Sequence, residues 1–291
     1  MLILAGDYMK KVKKPLLIYH DHCPDGFGAA YSFWKKYNQD IEYLPLNHTA
    51  DPFKGLSKKI FKNRQVWMLD ISLEREDAIE AHSLAKSFLI LDHHISAQKS
   101  LSDLDFAKFD MSHSGAVLAW EYCFPDEEVP KLLQYIEDRD LKGPNDCHLP
   151  YARELLTAID SYPKDFEVWE KLNNLIETPE GFSKLIVEGS AILRYNKVLI
   201  NSLMENTYRT KIKGYDVPVL NTPFFRSEML ASLAQNEPFA AGYHFDGKYF
   251  IFSLRSTDEG VDVSEIAKQF PGGGGHKKAA GFSVKKLDKL K

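Results

Sequence analysis

Cysteine is scarce: Cys23, Cys123 and Cys147 are the only three in 291 residues. They are too few and too scattered for a disulfide framework, and no two have the spacing of a zinc knuckle. A reducing, cytoplasmic setting is the expectation. No apolar run is long enough to cross a bilayer. The opening MLILAGDYMKKVKKPLLIYH puts its short apolar patch ahead of its lysines, the reverse of a secretory leader. No leader is therefore expected, PLLIYH is read as the first strand, and KKVKK (10–14) is read as a solvated extension. Positive charge is not in excess either. The formal net charge is −4, which excludes the broad basic field that coats duplex nucleic acid. A polyanionic substrate would need metal ions or a local basic patch. Internal repeats are lacking, and one glycine run is the only low-complexity feature.

What is present is an ordinary globular balance, 44% hydrophobic and 27% charged, with ample material for a core. LLIY, IEYLPL, VWML and FLIL read as strands, and GFGAAYSFWKKY, LSKKIFKNR and EREDAIEAHSLAK as helices between them. That alternation predicts a parallel α/β sheet. The unbroken apolar runs predict strands covered on both faces. From SGAVLAWEYC to NKVLINSLMEN the pattern is mostly helical. Beyond about residue 215, YDVPVLNT, PFAAGYHF, KYFIFSLRST and AAGFSV read as strands, and RSEMLASLAQ and VSEIAKQF as helices. The expected fold class is α/β: a parallel-sheet N-terminal domain (15–180), a helical linker (181–210) and a smaller α/β C-terminal domain (211–291).

Three of these strands end in the same chemistry. LLIY is followed by His20, Asp21, His22 and Asp25, VWML by Asp70, and FLIL by Asp92, His93 and His94. In an open parallel sheet, ligands bind outside the carboxyl ends of the strands. Crowded carboxylates repel, so protons or divalent cations must neutralise them. Mixed Asp and His donors suit Mn²⁺, Fe²⁺, Co²⁺ or Zn²⁺ better than Ca²⁺. Two such ions, about 3.5–4 Å apart, would ready a water and clamp a phosphoryl oxygen. Singly, each residue has a plainer reading: Asp70 as a turn or cap, the histidines as polar loop residues, DHCPDGFG as turn chemistry. The recurrence after three strands favours a phosphoester hydrolase site.

In FPGGGGHKKAAGF, glycines allow close backbone approach to an anion. His276 adds a donor, and Lys277 or Lys278 adds charge. Arg255, ending a strand, could fork onto a phosphate. The plainer readings are a flexible turn and a surface ion pair. Phe27 is read as packing the strand–helix turn. Phe224 and Phe225 are read as core rather than as a stacking platform.

DHH after an apolar strand, DG after the first strand and the late GGGGHKKAAGF together resemble the DHH phosphoesterases with a DHH-associated C-terminal domain, over roughly residues 16–284. That group includes oligoribonucleases acting on very short RNA, cyclic-dinucleotide phosphodiesterases and adenosine-bisphosphate phosphatases. Single-strand exonucleases and family II inorganic pyrophosphatases are more distant relatives. The resemblance implies a two-metal site in a cleft between the domains, usually holding Mn²⁺, with Co²⁺, Fe²⁺ or Mg²⁺ as alternatives. Carried over by motif, it implies His20, Asp25, Asp70 and His93 as ligands, with Asp70 bridging the ions. Asp92 would support the cluster and His94 would lie close to the substrate or leaving group. A late ligand would come from YIEDRDL, with Asp138 preferred and Asp140 the alternative. Gly273, Gly274, Gly275, His276 and Arg255 would bind a nucleotide or terminal phosphate. SHSGAVLAW resembles the segment that opens the helix after the third cluster. The chain departs from the family at Cys23, two residues before Asp25, where an aspartate is usual. Cys23, Asp21 and His22 are candidates for its place.

The expected function is metal-dependent hydrolysis of phosphoester bonds in small nucleotide substrates, such as short oligonucleotides, dinucleotides or nucleoside bisphosphates, by a two-metal-activated water. The alternatives are an inorganic pyro- or polyphosphatase, or a non-catalytic nucleotide-binding protein with incomplete metal ligation. The expected partners are a short nucleic acid or nucleotide and no membrane, with homodimerisation left open.

Overall fold

The computed structural model describes residues 13–21, 23–46, 57–143 and 146–290; His22 and residues 10–12 of KKVKK lie outside the described residues. The chain divides after Ile192 into two compact units. The first is built on β1 (Leu16–His20), β2 (Glu42–Leu46), β3 (Gln65–Leu69), β4 (Ser87–Asp92) and β5 (Ala107–Phe109). They form one sheet in the order β2–β1–β3–β4–β5, with every pairing parallel. The helices of this region are α1 (Pro24–Tyr37), α2 (Arg75–Leu84), α3 (Ile95–Leu101), α4 (Gly115–Cys123), α5 (Lys131–Lys142), α6 (Ala152–Asp160), α7 (Phe166–Ile176) and α8 (Pro179–Met204). LSKKIFKNR, expected as a helix, forms only a short 3-10 turn at Lys58–Ile60.

Successive strand side chains go to opposite faces, and here both faces are apolar. Leu17, Tyr19, Trp67, Leu69 and Leu91 join buried residues of α1 and α4–α7 in one core. Leu16, Ile18, Val66, Met68 and Ile90 join Ala78, Ala81 and Leu101 in the other. Burying a large aliphatic side chain stabilises by about 1.5–3 kcal/mol. This two-sided burial is the reason the strands read as unbroken apolar runs. Pro24 opens α1, where its missing N–H costs no hydrogen bond. Phe27 packs in this core against Phe166 and Trp169, with ring centroids 4.9 and 4.8 Å away.

The second unit carries β6 (Tyr208–Ile212), β7 (Tyr215–Asn221), α9 (Arg226–Leu233), β8 (Ala240–Phe245), β9 (Phe250–Arg255), α10 (Val263–Ala267), β10 (Gly274–His276) and β11 (Ala279–Val284). Its sheet runs β10–β11–β9–β8–β7–β6 and is antiparallel except between β7 and β8. Ala241, Phe252, Leu254, Phe282 and α10 make the core on one face. Ala240 meets Leu230 of α9 on the other. The helical stretch expected to reach residue 210 stops at Met204, and β6 follows. Its hairpin to β7 turns at Lys213 and Gly214, with φ 49° and 86°, the paired positive angles of a tight two-residue turn. The glycine run, whose plainer reading is a flexible turn, contributes Gly274 and Gly275 to an edge strand. At Gly275, φ is 143° and an added Cβ would stand 2.5 Å from Ala280 Cα, so this glycine serves the hairpin's own packing.

Candidate active site

Parallel register decides where the polar strand ends meet. Tyr19 pairs with Leu69, and Leu69 with Leu91, so His20, Asp70 and Asp92 follow in one row at the carboxyl edge. Asp70 sits just past β3 in a left-handed backbone conformation, φ 56°, which Asp tolerates better than most residues. Its carboxylate is 1% exposed and lies at the centre of the cluster. Oδ2 is 3.3 Å from His20 Nδ1, and Oδ1 is 3.2 Å from His93 Nε2 and 3.8 Å from His94 Nδ1. His93 Nε2 also lies 3.4 Å from Asp25 Oδ2 and 3.5 Å from Asp140 Oδ2.

Asp25, on the first turn of α1, is equally buried. It accepts the Gly115 N–H at 2.7 Å and the Ala116 N–H at 2.9 Å, two otherwise unpaired donors at the start of α4. Gly115 is required there. A Cβ would stand 2.6 Å from Asp70 Cβ and 3.0 Å from Asp25 Oδ2. Asp92 faces its own loop. Oδ1 accepts from His93 N–H (2.7 Å), His94 N–H (3.2 Å) and His94 Nδ1 (2.6 Å), and Oδ2 accepts from the Ser72 hydroxyl (2.5 Å). Asp92 thus orients the two histidines.

The charges are crowded. Burial, then Asp70 and Asp140, push Asp25 up to about 8. Burial also raises Asp140. Burial would raise Asp70 too, but bonds from His20 and His93 outweigh it and hold the carboxyl below its ordinary value. Hydrogen bonds to Asp70 and Cys23 lift His20 to about 10. Burial works against a charge on His93, yet Asp70 and the surrounding carboxylates raise it to about 9. His94 is raised by its bond to Asp92. Without cations, the cluster relieves its repulsion by retaining protons.

Divalent ions fit this donor set. Three overlapping groups, His20–Cys23–Asp70, Asp70–His93–His94 and Asp25–His93–Asp140, each place their ligating atoms within 4.8 Å of one another. A cavity of about 510 Å³ opens beside Asp25, Asp140 and Cys23, with Arg139, Tyr162 and Lys164 in its wall.

The structure brings together His20, Asp25, Asp70 and His93 of the expected ligands, with His94 alongside. Asp138 is a correction. Its carboxylate accepts the His148 and Leu149 N–H groups at 2.8 Å and so ties down the backbone after α5. Asp140, the alternative, faces His93 instead. Two positions on a helix differ by about 200°, so the two acids cannot share a face. The signal was the buried stripe Leu133–Ile136, which Asp140 continues by four residues.

A second polar group lies within the C-terminal unit. The row His276–Ala279–Arg255–Ala240 is in register across β10, β11, β9 and β8, which puts His276 and Arg255 on the face that also carries α9. Arg255 donates to Ser227 Oγ at 3.0 Å, and Arg226 donates to His244 Nδ1 at 2.9 Å. Burial and the nearby Arg226 hold the Arg255 guanidinium below its ordinary value. Among the described residues neither arginine forms an ion pair with a carboxylate. Gly274 faces open space, whereas Gly273 and Gly275 are hemmed in by neighbouring backbone. Phe224, expected in the core, is 68% exposed, two residues before Arg226. Sequence reading missed Arg226, Ser227 and His244: Arg226 and Ser227 reach the Arg255 group from the start of α9, and His244 of β8 contacts Arg226.

Residues 228–291 match the DHHA1 domain. An uncharacterized protein of Acanthamoeba polyphaga mimivirus is 32% identical over 292 aligned positions, covering 92% of this chain and 67% of that protein. Among solved structures, the pGpG-specific phosphodiesterase PggH from Vibrio cholerae is similar at 13% identity and TM-score 0.49, over 96% of this chain and 94% of that one. An exopolyphosphatase-related protein from Bacteroides fragilis is similar at 14% identity and TM-score 0.45, over 96% of this chain and 89% of that one.

Proposed function

This chain belongs to the DHH-family phosphoesterases that carry a DHHA1 domain, and from that premise we propose that it hydrolyses phosphoester bonds in small nucleotides, with dinucleotides and other short oligonucleotides as the leading substrates. The observation that carries this reading is the convergence of Asp25, Asp70, His93 and Asp140, from four separate elements, at the carboxyl edge of a parallel sheet. Those residues, with His20, would hold two divalent cations, Mn²⁺ by resemblance. Such ions, when bound, lower the pKa of a water and neutralise phosphoryl oxygens.

The chain's own groups do the rest. Asp92 fixes the His94 ring through Nδ1 and keeps its proton affinity high. His94 Nε2 is then the proton donor to the leaving oxygen. The cavity beside Asp25 and Asp140 is within the usual size range for ligand pockets, and it receives a part of the substrate next to the reacting phosphorus. Arg226, Arg255 and His276 take a phosphate. Exposed Phe224 offers a base a stacking surface, which favours a nucleotide over inorganic pyro- or polyphosphate.

The test is hydrolysis of bis-nitrophenyl phosphate with added Mn²⁺, followed by a panel of di- and trinucleotides, nucleoside bisphosphates, pyrophosphate and polyphosphate. Dinucleotides should turn over fastest. No turnover of any of these with Mn²⁺, Co²⁺, Fe²⁺ or Mg²⁺ would leave a binding protein and end the proposal. Arg226→Ala should raise KM by about tenfold to a hundredfold, the loss of a charge-assisted hydrogen bond, with kcat little changed.

A further inference from the structure

We infer that Cys23 is itself a metal ligand, and that with His20 and Asp70 it builds a position selective for a softer divalent ion (Zn²⁺, Co²⁺ or Fe²⁺). The neighbouring position, made by Asp25, His93 and Asp140, offers only oxygen and nitrogen. The inference rests on the two-ion reading above and goes beyond it, because it makes the two positions chemically unequal.

Geometry is the first argument. The His20 nitrogen, the Cys23 sulfur and an Asp70 oxygen lie within 4.8 Å of one another. Around a tetrahedral ion with a sulfur at about 2.3 Å and a nitrogen at about 2.0–2.1 Å, donor atoms stand roughly 3.3–3.8 Å apart. Small rotations close the trio on an ion.

The second argument is where the thiol sits. Cys23 is the N-cap of α1, a position whose side chain normally accepts a backbone N–H of the first turn. Cys23 makes no such bond. Its sulfur lies instead within 4.8 Å of a His20 ring nitrogen, and Cys23 is on the wall of the cavity beside the cluster. Cys123 shows the contrast: it is buried among apolar side chains, where a thiol behaves as a small hydrophobe.

Ligand chemistry then gives the selectivity. Thiolate favours Zn²⁺, Co²⁺ and Fe²⁺, whereas carboxylate-rich sets suit Mn²⁺ and Mg²⁺. Coordination requires the thiolate, so binding releases the thiol proton to solvent.

The experiment titrates the metal-stripped full-length chain with Co²⁺ and reads the near-ultraviolet thiolate-to-cobalt charge-transfer band, with bound metal counted per chain. The band should grow with one equivalent and survive in Cys147→Ser, which removes the other partly exposed thiol. It should vanish in Cys23→Ser, with Zn²⁺ affinity at that position down about tenfold or more. Cys23→Asp should lose the band, keep two ions per chain and turn that position toward Mn²⁺. As a second readout, Zn²⁺ but not Mg²⁺ should protect Cys23 from alkylation in the wild-type chain. Two bound Co²⁺ without a band, or a band unchanged in Cys23→Ser, overturns the role of Cys23 and leaves the proposed hydrolase intact. A chain that binds no cation at all overturns both.

Discussion

Asp70 serves three imidazoles from a buried position, so its charge, rather than its shape, is what the site uses. Asp70→Asn keeps the shape. It should lose bound metal and abolish turnover, and an unchanged rate would remove the bridging role. Gly115→Ala tests the same spot from the opposite side. The new methyl would meet Asp70 Cβ and Asp25 Oδ2, both on buried residues. The expected cost is about 1–3 kcal/mol in denaturant unfolding, together with lost metal. Asp70 and the DHH triplet were legible because each follows an apolar run that reads as a strand, and the same polar ending recurs after three such runs. Gly115 was not. Its constraint comes from a strand end 45 residues away and a helix 90 residues away, and nothing local marks it.

Helix α4 begins on a carboxylate that belongs to α1, and this separates two acids that a motif treats alike. Asp25→Ala strips the Gly115 and Ala116 N–H groups of their buried acceptor, at about 1–3 kcal/mol, besides emptying the metal position. Asp140 accepts no backbone N–H among the described residues, and desolvation, with the nearby Asp70, keeps its proton affinity high. Asp140→Ala should therefore cost metal but leave the metal-free chain as stable as before or more so. Equilibrium urea unfolding of both variants in a chelator checks the contrast; equal destabilisation would mean that Asp25 is not the acceptor for α4. Element types were readable from periodicity, but the direction of single side chains was less so. On α5, counting from Ile136 points to Asp140, whereas position within YIEDRDL alone does not. Strands β5, β6 and β10 escaped because they are short or polar, and each is held by pairing to a neighbour.

At the scale of the whole molecule, the cluster makes stability a function of both protons and metal. His20 is raised from 6.5 to about 10, so its contribution is complete below pH 6.5 and is lost as the pH climbs through 10. Asp25, raised from 3.8 to about 8, acts in the same sense over a lower window, and His93, raised from 6.5 to about 9, joins them. Asp70 is lowered, so its contribution appears above 3.8 and has already saturated at neutral pH. The metal-free chain should therefore lose thermal stability between about pH 6.5 and 9. Cations compete with those same protons, so the gain from Mn²⁺ should be larger at pH 8.5 than at 6.5. At a hundredfold excess over Kd it amounts to about 2.7 kcal/mol. All the proposed ligands belong to the first compact unit. Hydrogen exchange should accordingly slow on metal addition in β1, β3, β4 and the start of α4, while β6 to β11 hold their rates. Melting curves of chelated and Mn²⁺-loaded protein at the two pH values decide the matter. A stripped chain that grows more stable toward pH 9 would mean that the strand-end carboxylates and imidazoles do not share protons, and hence that they are not placed to share ions.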